Sequence, residues 1–341
     1  MMHHKVKQQG FSLVELMVAI VLGLILVAGV IELFVNNRQV YRVQDAQSRL
    51  QENGRYAIKI LSQSIERAGY LGCATRSALN ITNVLNTPNA YLWDITTPIE
   101  GQEATGANSW TPAADASITQ PVGGSDILTI RTIEPPELRV VSHPTTGLPG
   151  SADITVNGSN GLATGDIVLA HDCVAGAIFE ITSATPSNGT LAHAQGAGTS
   201  KTPGNATATL GYNFGAGWVN KIATNSFYIR LRENAPIPSL YRKTAGEDAV
   251  ELVEGIESLQ IRYGVDTTGN GSTDAYQTAD QVGNWNNVVS VRISLVMVSL
   301  ENNLTVNGSQ SYRLEGGLVN PGDRRLRRVF TRTVTLRNRV S

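Results

Sequence analysis

The chain changes its hydrophobic rhythm along its length. Residues 1–10 are polar and basic, with Lys5 and Lys7. Residues 11–34 then read FSLVELMVAIVLGLILVAGVIELF, apolar on nearly every side. About 24 residues at 1.5 Å each make a helix of roughly 36 Å, enough to cross the hydrocarbon layer of a bilayer. No turn signal ends this run, and no Pro occurs before Pro88. Apolar or small residues continue at Val40, Val43, Ala46, Leu50, Ala57, Leu61, Ile65 and Ala68. That spacing predicts one apolar stripe on a continuing helix, with Arg42, Asp45, Arg49, Glu52, Arg55 and Lys59 on its polar face. Gly54 reads as a mild weak point and Gly69 as a stop. The whole helix is expected to run about 55–58 residues, roughly 85 Å.

Beyond Gly69 the period becomes two. Strands are expected at residues 126–132, 166–170, 178–182, 227–232, 255–263, 288–300 and 326–336. In the sixth, Val289, Val291, Ile293, Leu295 and Met297 share one face, and Ser290, Arg292 and Ser294 the other. This is the pattern of a strand that covers a helix. Residues 75–125 and 186–217, rich in Asn, Thr, Ala, Gly and Pro, read as long loops.

The N-terminus departs from an ordinary secretory signal, which ends in a small-residue cleavage site beyond the apolar stretch. Here the small residue, Gly10, precedes it, so a cut at that point leaves the apolar helix in the mature protein. Lys5 and Lys7 keep the N-terminal side cytoplasmic. Glu15 is the second anomaly, because a carboxylate within an apolar span costs about 2.5–3.5 kcal/mol and usually has a partner. A new amino terminus at Phe11 would lie one helical turn away and could neutralise it, within a chain or between neighbours.

Composition adds little more. Lys and Arg number 27 against 28 Asp and Glu, so net charge gives no reason to expect general nucleic-acid binding. The two cysteines, Cys73 and Cys173, are too few for a zinc centre of their own. A disulfide between them would close a long loop, for a gain of roughly 4–5 kcal/mol in an oxidising compartment. The alternative is a pair of buried thiols.

GFSLVELMVAI, from Gly10 to Ile20, resembles the class III signal of type IV pilins and type II secretion pseudopilins. The resemblance implies cleavage by prepilin peptidase between Gly10 and Phe11, N-methylation of Phe11, and a role for Glu15 in subunit recruitment and docking. Three further segments resemble the PilW family of minor pilins: RLQENGRYAIKILSQSIERAGYLGC (49–73), LVEGIESLQIRYGVD (252–266) and DRRLRRVFTRTVTLRNR (323–339). They imply a pilin-like α+β fold, a long N-terminal helix packed on an antiparallel β-sheet head with long loops. The expected organisation is a leader at 1–10, a membrane or filament-core helix at 11–35, its amphipathic continuation at 36–72 and a periplasmic head at 73–341. The implied function is initiation of pilus assembly at or near the tip, after residence in the inner membrane. Implied partners are other minor pilins, the major pilin, a tip adhesin and the inner-membrane assembly platform. A J-class secretion pseudopilin shares the general plan.

Other constellations are weaker. Asp266, Thr268, Asn270 and Asp274 place oxygens at alternating positions around Gly271, as in a calcium loop. Thr268 stands where Asp or Asn is expected and no Glu closes the loop, so a β-hairpin turn is the simpler reading. No cofactor is expected beyond that. The terminal arginines alternate with apolar residues, as in a strand with a charged face, and nucleic acid is not an expected partner. The histidines His3, His4, His143, His171 and His193 form no H-E-x-x-H motif, and no G-x-S-x-G or P-loop is present, so no enzyme is expected.

Overall fold

The computed structural model describes residues 12–72, 80–157, 161–185, 188–199, 201–232, 235–305 and 308–338. A 54-residue helix, Leu13–Glu66, leads into a head of mostly antiparallel strands. This is the expected α+β arrangement. The helix buries Leu50, Gly54, Ala57, Ile58, Leu61, Ser62 and Ile65; the expected stripe therefore holds from Leu50 onward, whereas Val40 stays exposed and Val43 and Ala46 are only half-buried. Its end is fixed by Gly69, at φ +70°, whose N–H donates to the Arg131 carbonyl at 2.9 Å. A left-handed glycine just past a helix is a common stop because it carries no Cβ. Here the same residue ties the helix to the head.

The helix lies on a four-stranded antiparallel sheet. Its order is Ala275–Gln277, Ile256–Val265, Val288–Val298 and Arg327–Thr335. Leu259, Ile261, Val291, Ile293, Leu295 and Met297 form one core with the helix stripe. Each such side chain contributes about 1.5–3 kcal/mol on burial. The opposite face of the Val288–Val298 strand is covered as well. Ser290 bonds Thr273 and Ser294 bonds Glu315, while Arg292 lies over the Tyr276 ring at 3.9 Å. Polar residues on that face therefore mark pairing within the head rather than exposure to water.

A larger sheet of twelve strands centres on Ile127–Ser142 paired with Trp218–Leu231. Both are longer than the sequence pattern indicated. The segments read as loops carry strands of their own: Asn80–Asn83, Ile99–Gly106 and Ser109–Thr111 in the first, and Thr190–Ala192, Gly196–Ala197 and Gly204–Asn205 in the second. Polar side chains hold them. Arg131, fully buried, pairs with Glu100 at 2.8 Å and donates to the carbonyls of Tyr91 and Thr97. Asn205 both accepts from and donates to the main chain of Glu180 at 2.8 Å. Strands held this way need no alternation of apolar residues, which is why periodicity missed them.

Several contacts join the helix and the two sheets, Asp126 and Gly54 among them. Asp126, from the large sheet, accepts the N–H of Ala104 at 2.9 Å and that of Ile261 at 2.8 Å, so it bridges to the helix-bearing sheet. Burial pushes its carboxyl up to about 7, with the neighbouring Glu103 adding to the rise, against the two N–H donors and Arg262. A carboxyl raised on folding favours the protonated state, so its contribution is complete below the unfolded value near 4 and is lost as pH rises through 7. Melting temperature should therefore decline across pH 4–7. Asp126→Asn should flatten that decline while lowering stability throughout, since its amide NH2 must face one of the two donors.

The second of these is Gly54, where the helix crosses the terminal strand. A Cβ there would lie 2.3 Å from the Phe330 ring. The position that reads in sequence as a weak point is thus one where the Phe330 ring packs directly against the helix backbone. Gly→Ala inside a helix ordinarily gains about 1 kcal/mol. In this chain Gly54→Ala should instead cost about 1–3 kcal/mol through overpacking, and adding Phe330→Leu should recover the loss. Thermal unfolding of the detergent-solubilised protein measures both.

Candidate assembly site

Among the described residues, no part of the head packs on the N-terminal half of the helix. Every residue from 12 to 38 is exposed, including Leu13 at 74%, Leu26 at 69% and Phe34 at 68%. An 18-residue window of this helix has a mean hydropathy of 2.9, long and apolar enough to cross a membrane. A helix that is apolar all round belongs in lipid or in a core made with other helices. The head first reaches it at Gln39, which donates to the Asn303 carbonyl, and Arg42, paired with Glu301 at 2.8 Å. Among the described residues, those before that point are open to other molecules.

Gly10 and Phe11 lie outside the described residues. Glu15 stands in the first turn, exposed, and is the only charged side chain from residue 11 to residue 31. Its N–H donates to the Ser12 hydroxyl at 3.2 Å. Ser12 therefore caps the helix, with Glu15 at the third helical position. Ser-x-x-Glu is the pattern of a capping box, a signal present in the sequence and missed there. A carboxylate in the first turn also suits the positive end of the helix dipole. The first turn therefore presents an acid toward the side from which a new amino terminus would come.

The other sequence candidates fall elsewhere. Cys173 sits between the strands Ile167–His171 and Ala175–Glu180 at φ +71°, and Cys73 lies outside the described residues. Gly72 faces His171, with a Cβ position 2.7 Å from the ring. His171 stacks on Trp218 and pairs with Asn220 at 3.0 Å, while Asp172 accepts the N–H groups of Val174 and Ala175. These neighbours of Cys173 serve packing and a turn.

Asp266, Thr268, Asn270 and Asp274 do share one loop. Asp266 accepts N–H bonds from Thr268, Gly269, Asn270 and Gly271. Burial raises its carboxyl, but these donors outweigh that and hold it below the ordinary value. Asp274 is lowered by the hydroxyl and N–H of Thr267, with Thr268 adding to them. Asn270 accepts from Ser272 at 2.8 Å. Hydrogen bonding within the loop engages both carboxylate oxygens of Asp266, Oδ2 of Asp274 and the Asn270 amide oxygen. Among the described residues, no group of three or more His, Cys, Asp or Glu gathers around one point.

The terminal arginines are not one free stripe. Arg327 is buried against Glu257, at 2.6 and 2.8 Å, and Asp323. Arg324 donates to the Thr305 carbonyl, Arg325 to that of Ser299, and Arg337 pairs with Glu66 at 3.5 Å.

Two family models match the chain. The prokaryotic N-terminal methylation motif covers residues 5–31, and PilW, the type IV pilus-assembly protein W, covers residues 226–338. No curated protein and no solved structure matches. The PilW region takes in the helix-bearing sheet from Ile256 to Thr335, and the methylation motif takes in the capped, exposed helix start. In these two regions the chain is similar to prepilin-type pilins of the PilW family.

Proposed function

We propose that this chain is a minor pilin that helps start type IV pilus assembly at or near the tip. Prepilin peptidase cuts between Gly10 and Phe11 and methylates Phe11. The helix then leaves the inner membrane for the filament core, with the head on the periplasmic side and later outside the cell. Its partners are other minor pilins, the major pilin, a tip adhesin and the inner-membrane platform.

One observation carries this reading: an exposed apolar helix with a single acid in its capped first turn. Left in hydrocarbon unpaired, Glu15 costs about 2.5–3.5 kcal/mol. The Phe11 ammonium, of its own chain or a neighbour, offsets that cost only in the assembled position, so the charge favours docking over lateral drift in lipid. The match to PilW favours a pilus over a secretion pseudopilus.

Gly10→Ala should leave the uncut precursor, visible as slower migration on a gel. Glu15→Val should be cut normally yet fall at least about tenfold in sheared pili, since each 1.4 kcal/mol is a factor of ten. Wild-type incorporation of Glu15→Val would count against the docking role.

We also propose a Cys73–Cys173 disulfide in the oxidising periplasm. Two observations support it. No free cysteine occurs among the described residues, and Gly72 against His171 brings the end of the helix segment beside the Cys173 turn. Cys173→Ser should lower stability by up to about 4–5 kcal/mol. Reductant should bring the wild type to the same melting temperature and leave the variant unchanged. A wild type indifferent to reductant would refute the bridge.

A further inference from the structure

Away from the helix, five segments of the head meet at a cleft of about 240 Å³. Trp93 lines it from the turn at residues 90–93, and Asp166 from the entry to the Ile167–His171 strand. Lys221 and Ile222 line it from the Trp218–Leu231 strand. Lys201 and Glu247 stand on two further loops, both exposed at the rim. Hydrogen bonds fix these walls. The Thr224 hydroxyl donates to the Leu92 carbonyl at 2.7 Å, which holds the Trp93 turn against the sheet. The Gly165 N–H donates to the Ile181 carbonyl at 2.8 Å, and the Ala245 N–H to that of Thr224 at 2.9 Å. Asp166 accepts from Lys221 at 2.8 Å and from the Ala163 N–H at 2.9 Å. The cleft is thus formed by the fold itself, and a ligand does not have to order it.

Three features of the lining set its chemistry. Trp93 is half-buried and packs on the core that contains Ile167 and Ile222. An aromatic wall suits a flat ligand face made of C–H bonds, whose slight positive charge meets the negative ring face. The charges are also balanced. Among the described residues, Lys201 and Lys221 line the cleft against Asp166 and Glu247. Just outside it, Lys243 bonds the Glu247 carbonyl, Glu134 stands beside Lys221 in the sheet, and Asp248 is exposed. Such an arrangement gives no strong field that selects an anion or a cation. Finally, the Lys221–Asp166 pair leaves ammonium donors and carboxylate lone pairs unused, and Glu247 adds further acceptors. Donors therefore lie beside acceptors. A hydroxyl both donates and accepts, so adjacent hydroxyls match this mixed lining better than a group of one kind.

We propose that this cleft binds one ring of a neutral carbohydrate. The C–H face of the ring lies on Trp93, and neighbouring hydroxyls bond the Lys221–Asp166 pair and Glu247. The cleft is smaller than the roughly 300–1,000 Å³ of sites for drug-sized ligands, which limits it to a single ring. Binding here concerns what the head touches and is independent of how the helix assembles.

The test is saturation-transfer difference NMR on the full-length protein in a sugar-free detergent. The probes are the methyl glycosides of glucose, galactose, mannose and N-acetylglucosamine, with glucuronic acid and glucosamine as charged comparisons. At least one neutral glycoside should receive saturation, strongest at the protons of one ring face, and the two charged sugars should receive less. Trp93→Leu should weaken that binding at least about tenfold. Because Trp93 also packs on the core, Glu247→Ala at the exposed rim is the second variant. It should weaken binding by about threefold or more while the melting temperature stays unchanged. Saturation of none of the sugars, saturation of a neutral Ser-Gly-Ser peptide in their place, or sugar saturation that both variants leave unaltered would each overturn the proposal. None of these outcomes bears on leader processing or pilus entry, so the assembly reading stands or falls separately.

Discussion

One helix has to satisfy two environments at once. From Leu13 to about residue 38 the helix is exposed among the described residues, and from Leu50 to Ile65 a narrow stripe is buried against a sheet. The first half is too apolar to be left in water, and the second is too polar for the interior of a bilayer. The remaining architecture follows from that division. The head can hold the helix only by its polar half, which is why its first contacts fall at Gln39 and Arg42. The apolar half must be covered by lipid or by other copies of the same kind of helix.

Because the helix is long, a small error where it meets the head would swing its far end widely. The junction is accordingly fixed at several points. Gly69 turns the chain and bonds Arg131, and Arg131 in turn pins the segment carrying Tyr91, Thr97 and Glu100. Gly54 allows the Phe330 ring to sit against the helix backbone. Asp126 then joins the helix-bearing sheet to the larger one. A buried arginine and a buried aspartate cost solvation, and each is retained with charged or main-chain partners in place. Both lie where one layer of the head is held to the next, which makes them devices of geometry more than of stability.

The sequence was most legible where the physics is periodic or local. The helix stripe from Leu50 to Ile65 and the apolar face from Val291 to Met297 followed from spacing alone. So did the oddity of Glu15, because a charge in an apolar run is visible without a structure. Ser12 could have been read from the Ser-x-x-Glu pattern, and the structure supplied it instead. The order within residues 75–125 and 186–217 was not legible. It depends on Arg131 and Asn205 bonding to main-chain groups distant in sequence, and no short pattern encodes such pairs. The same holds for Gly54, whose partner Phe330 is nearly the whole chain away. The arginine-rich tail was read correctly as a strand, but only the structure shows Arg327 to be an internal ion-pair partner.

Assembly through the apolar helix requires that it be kept after processing and begin at Phe11. Intact and peptide mass spectrometry of the protein recovered from membranes and from pili measures this directly. The expected N-terminal peptide starts with methylated Phe11 and contains Glu15. A mature protein that still begins at Met1, or one cut beyond Phe34, would contradict it.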